Sequence, residues 1–143
     1  MAIKATITNL QSMQVGVNGP NGANTLIITT GIATCNLVAI NQNVGGVASV
    51  QQGSFTALID PKLSVGQFRR ALATGSLASI NYGAQDPAQR VQVTWTINSV
   101  EADLNDESGQ VELRFDVSVS AGGLGSFADL LQVAFQVTTL AAL

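Results

Sequence analysis

Six of the nine carboxylates of this 143-residue chain fall within sixteen positions, at Glu101, Asp103, Asp106, Glu107, Glu112 and Asp116. Carboxylates gathered on a turn are what a hard cation such as calcium needs. Asp103-Leu-Asn105-Asp-Glu107 has part of that spacing. However, Ser108 stands where a calcium loop places glycine, and Arg114 stands where it places a bidentate glutamate. The cluster therefore reads as the solvated tip of a hairpin, with no metal site. Two acids flanking a sugar cleft would suit glycoside hydrolysis, but aromatic rings to line such a cleft are few: Trp95, Tyr82 and five phenylalanines.

Other reactive groups are scarcer still. The chain has no histidine, which removes the most common general base and transition-metal ligand together with every Ser-His-Asp or Cys-His arrangement. Cys35 is the one cysteine, so no internal disulfide can form, and its apolar surroundings, Ile32-Ala-Thr-Cys-Asn-Leu, predict a buried inert thiol. Gly122-Gly123-Leu-Gly125 lacks the spacing of a nucleotide-binding loop. No catalytic residue and no cofactor site is expected. Six basic residues against a net charge of −3 leave no footprint for nucleic acid.

The charges that remain are segregated. Lys62, Arg69, Arg70 and Arg90 lie between positions 62 and 90 with only Asp86 against them, whereas 101–116 is acidic apart from Arg114. From Ala5 to Ile59 there is no charge at all, and charged residues make up 10% of the chain where about a quarter is usual. A surface of amides and hydroxyls is far cheaper to desolvate than one of ions. The segment therefore suits a face that another copy of the chain covers. Thr29 and Gln51 are the expected contact residues there. Arg69 and Arg70 are expected to meet Asp106 and Glu107 of a neighbouring subunit and so set its register.

These side chains need a scaffold, and alternation of apolar and polar residues supplies it as strands. Met13, Val15 and Val17 alternate with polar residues before the turn Asn18-Gly-Pro-Asn-Gly22. Thr25–Thr30 and Ile32–Asn41 are nearly continuous in apolar and β-branched residues. Val91, Val93, Trp95 and Ile97 alternate until the parity slips at Asn98-Ser99, which predicts a β-bulge. After a turn over Asn105–Gly109, Val111 to Val119 alternate without a fault. Trp95 falls on the core side and Asp116 on the opposite face, where its replacement by Asn is expected to be nearly silent.

Ser64-Val-Gly-Gln67 has the spacing of a capping box, and Val65, Phe68 and Leu72 share one helical face, so one short helix is predicted near 64–74. Past the glycine-rich loop 121–126, β-branched residues favour a strand, after one helical turn at Phe127 to Leu130.

The expectation is an all-β fold: an antiparallel β-sandwich or barrel of about eight to ten short strands, forming one domain over residues 1–143. Nothing approaches the roughly 20 apolar residues of a membrane span, and the N-terminal segment lacks the apolar core of a secretory signal. Synthesis in the cytoplasm is expected, followed by incorporation into a particle or release without a signal peptide. The expected function is a non-enzymatic structural subunit that assembles with copies of itself, and with other components where a particle has them, into a coat, tube or filament. The alternative is a small binding module for carbohydrate or an apolar ligand.

Overall fold

A computed structural model of the chain describes residues 2–20, 22–42, 47–85 and 91–143. Eight strands follow one another: β1 (Ile3–Lys4), β2 (Thr6–Gly19), β3 (Gly22–Ile40), β4 (Ser49–Ile59), β5 (Phe68–Ala84), β6 (Gln92–Asn105), β7 (Gln110–Gly122) and β8 (Ser126–Ala141). They form two four-stranded sheets, β1-β4-β7-β6 (sheet I) and β2-β3-β8-β5 (sheet II). Every pairing is antiparallel except the two-residue contact of β1 with β4. The sheets face each other across one hydrophobic cluster and do not close into a barrel.

The alternation in β7 carries through to the core. Val111, Leu113, Phe115, Val117 and Val119 all point inward and are buried, and Phe115 stacks on Phe55 of β4 with ring centroids 5.4 Å apart. Burial of this kind is the main source of stability for the fold. The bulge expected at Asn98-Ser99 is present. Ile97 opposes Val117 and Ser99 opposes Asp116, so Asn98 is the extra residue, and Val100, Ala102 and Leu104 return to the core side. Trp95 packs on the core, and its indole N–H donates to the Asp129 carbonyl of β8 at 2.9 Å, tying the two sheets together.

The predicted helix near 64–74 does not form. Its capping box does: the Ser64 N–H donates to Gln67 Oε1 at 3.0 Å and the Gln67 N–H to Ser64 Oγ at 3.3 Å. The turn ends at Gln67, and β5 begins at Phe68. A helix this short is marginal in water, and Gly66 weakens it further. Pairing along nearly all of β8 is the competing gain. It seats Ala71, Ala73 and Gly75 inward and leaves Leu72, expected in the core, 57% exposed. The helical turn at Phe127–Leu130 is likewise replaced by strand, because β8 is the central strand between β3 and β5.

Two asparagines take up left-handed backbone where the ladders of sheet II slip. Asn9 (φ 54°) lies in the irregularity between Thr8 and Gln11 of β2, and Asn36 (φ 51°) in that between Thr34 and Leu37 of β3. Asparagine tolerates this region better than other non-glycine residues.

Candidate assembly surface

β2 is an edge strand, and from Thr8 to Gly19 every residue is exposed. β3 is the one element it packs against extensively. From Gln11 to Gly19 its register with β3 is unbroken, ending at the turn where Gly19 opposes Gly22. Leu10, Met13, Val15 and Val17 are large apolar residues left in contact with solvent.

Pairing places these residues in rows on the outer face of sheet II. Val15, Leu26, Leu140 and Arg70 form one row, and Met13, Ile28, Thr138 and Leu72 form the next. Gln11, Thr30, Gln136 and Thr74 follow, then Thr8, Ile32, Ala134 and Ser76. The lower two rows border a shallow concavity of about 790 Å³ lined mainly by amides, hydroxyls and small apolar side chains. The four strands of sheet II carry only three charges, Arg69, Arg70 and Asp129.

The expected contact residues are placed as follows. Thr29 lies on the inner face of β3 and is 2% exposed, with its hydroxyl 3.4 Å from that of Ser12. It therefore cannot touch another subunit, and the outward positions of that segment are Ile28 and Thr30. The period of two was legible in the sequence, but the near-continuous apolar run concealed which parity faces in. Gln51, on β4, is exposed.

Arg69 and Arg70 open β5 and are exposed; Arg69 donates through Nη1 to the Gly66 carbonyl at 2.8 Å. Asp106 and Glu107 sit on the β6–β7 turn, which is shaped by Asn105: its side-chain oxygen accepts from the Glu107 and Ser108 N–H groups. The Leu63 N–H donates to Gly109 on this turn, and the Ala142 N–H donates to Gln67. The basic segment and the acidic tip thus occupy the same end of the sandwich. Arg90 and Asp86 lie outside the described residues.

Asp116 is at the centre of sheet I. It accepts hydrogen bonds from the Ser54 hydroxyl of β4 and, at 2.8 Å, from the Ser99 hydroxyl of β6. These bonds, Ser54 first, hold its carboxyl below the ordinary aspartate value, with Arg114 at 3.8 Å adding to the effect. Asp116 therefore joins three strands, and the expectation that Asp116→Asn is nearly silent does not fit its surroundings. Cys35 is buried, and burial pushes its thiol up to about 11. Among the described residues no three metal-ligating side chains gather, and no helix is long and apolar enough to cross a membrane.

Two polar residues missed by sequence reasoning secure the opposite end. Asn41 is fully buried, and its side-chain amide donates to the Ala121 carbonyl at 2.7 Å and to the Val47 carbonyl at 3.0 Å. Ser126, also buried, donates to the carbonyls of the Gly122–Gly123 turn. Both stand next to glycine-rich or polar loops, where nothing local distinguishes them from solvated residues. No protein-family model matches this chain, and no curated protein or solved structure gives a significant match.

Proposed function

We propose that the chain is a non-enzymatic structural subunit that self-assembles, with the β2 edge and the adjoining outer face of β3 as its main contact surface. The observation that carries this reading is β2: a long, uncharged edge strand, unbroken from Gln11 to Gly19, with apolar side chains in solvent. Edges of this kind invite pairing with another chain, and proteins that remain monomeric blunt them with charge, proline, bulges or a cover. Covering Met13, Val15, Leu26 and Ile28, on the β2 side of that face, would gain about 25 cal/mol for each Å² of apolar surface removed from water.

Oppositely charged residues at one end of the sandwich favour contacts in which that end meets its like in a neighbouring subunit. Arg69 and Arg70 then face Asp106 and Glu107 across the contact, orienting it more than strengthening it. Light scattering at micromolar concentration and negative-stain microscopy test the reading. Assembly well above the 14.7 kDa of one chain is expected; a monomer at the highest attainable concentration overturns it.

The concavity beside Gln11, Thr30, Thr74 and Gln136 favours a second reading, a carbohydrate-binding module. Saturable binding of an oligosaccharide by a monomeric protein would select that reading.

A further inference from the structure

Sheets I and II present four edges, and three of them are protected. β1 is two residues long and carries Lys4. β6 carries Glu101 and Asp103 and is bent by the bulge at Asn98. β5 has register irregularities between Phe68 and Arg70 and on both sides of Ser79, and opens with Arg69 and Arg70. Among the described residues β2 offers the longest such run, Gln11–Gly19, free of charge, proline and bulge; the comparable stretches are shorter, Ser49–Ser54 of β4 beside the two residues that β1 pairs with, and Ala71–Leu77 of β5. Charge, bulges and shortness are the devices that keep sheet edges from pairing, and this run lacks all three.

The run is also self-complementary. It is bounded by the Asn9 irregularity at one end and the Gly19–Gly22 turn at the other, and Val15 is its midpoint. An antiparallel copy turned about a two-fold axis through Val15 sets Val15 against Val15, Met13 against Val17, Gln14 against Gly16, Ser12 against Asn18 and Gln11 against Gly19. Each apolar residue of the outer face then meets an apolar residue. Isologous contacts oppose a residue near the axis to itself, so a charge there would repel its own copy. β2 has none.

From these observations we infer that β2 of one copy pairs with β2 of a second about a two-fold axis at Val15, joining sheet II of the two copies into one eight-stranded sheet. The inference rests on the self-assembly reading above and specifies its first step. On the outer face the row Leu140–Leu26–Val15 continues into Val15–Leu26–Leu140 of the second copy. Six apolar residues cross the junction, and the ladder hydrogen bonds that β2 otherwise leaves to water are made between chains. β5, bulged and bearing two arginines, remains the outer edge on each side.

The test is a pair of variants at the axis with a matched control on the far edge. Directly opposed residues in an antiparallel pair have Cα atoms about 4.5–5.5 Å apart, within disulfide reach. Val15→Cys oxidised with diamide is expected to give a covalent dimer on a non-reducing gel. Wild type, whose Cys35 is buried, and Leu72→Cys should give none. Val15→Lys opposes two ammonium groups and should weaken dimerisation about a hundredfold or more, while Leu72→Lys leaves it unchanged. Both positions are exposed, so the monomer should keep its fold, checked by circular dichroism.

A wild type that is monomeric at every concentration overturns the self-assembly reading itself. Assembly that persists in Val15→Lys, with no crosslink through Cys at position 15, overturns only the two-fold β2 pairing. Crosslinking or dispersal at position 72 and not at 15 would move the contact to β5 and overturn it as well.

Discussion

Sheets I and II share one core but turn different surfaces outward. On sheet I the outer positions include Glu101, Asp103, Glu112, Arg114 and Asp116, interleaved with hydroxyls, and several are bonded to one another. Ser54 and Ser99 donate to Asp116, and Asn105 donates to Glu112 at 2.9 Å. On sheet II the corresponding positions hold Met13, Val15, Val17, Leu26, Ile28, Leu72 and Leu140 among threonines and glutamines, with Arg70 at the β5 margin. Ionised groups are held in water by their solvation, and stripping it away is costly. Apolar and neutral amide groups lose little on being covered. The same alternation of in and out therefore builds one outer face that carries most of the ions and one that is nearly free of them.

The comparison breaks first at the core that both sheets share. Phe115→Ala removes a fully buried ring stacked on Phe55 and should cost about 3–5 kcal/mol in urea denaturation. A loss below about 1 kcal/mol would show that β7 is not central. Thr29→Lys should follow, at about 3 kcal/mol, because it forces an unpaired charge into the inner face of sheet II. Ile28→Lys, one residue away on the outer face, should leave the monomer folded and act on assembly alone. Equal destabilisation by the two would mean that the parity of β3 is reversed.

Smaller effects separate the outer faces. Asp116→Asn should cost about 1 kcal/mol, since one of two hydrogen bonds to a charged acceptor is lost or weakened. Its folded pKa is depressed relative to the ordinary value of 3.8. The carboxylate's contribution is therefore complete above that value and is lost as pH falls through the lower folded pKa. The stability gap between wild type and Asp116→Asn should thus narrow in acid; a gap that is constant down to pH 2 would contradict the bonding described.

The smallest expected effect is at the charged end. Arg69→Glu with Arg70→Glu should slow assembly without unfolding the monomer, since exposed pairs contribute about 0.2–1 kcal/mol each. Asp106→Arg with Glu107→Arg should restore part of the rate, and 1 M salt should mask both changes as the Debye length falls to about 3 Å. Failure of the double swap to restore assembly would leave these residues as solvated loops.

What local chemistry determines was legible in the chain itself. The faultless alternation of Val111–Val119, the parity slip at Asn98, the turn at Asn105–Gly109 and the Ser64–Gln67 capping box each depend on neighbours within a few residues, and each is found where the pattern puts it. Tertiary structure decided what depends on distant partners. Phe68–Leu72 has helical spacing, yet the open ladder along β8 made it strand, with a register shift that puts Phe68 and Leu72 on opposite faces. The inward burial of Thr29 and the buried amide of Asn41 follow from which sheet lies opposite, which no local pattern encodes. Sequence order likewise does not reveal that Arg69 and Asp106 share an end, or that β2 is an edge. Those are properties of strand order, set by the long-range packing that buries the most apolar surface while pairing the backbone.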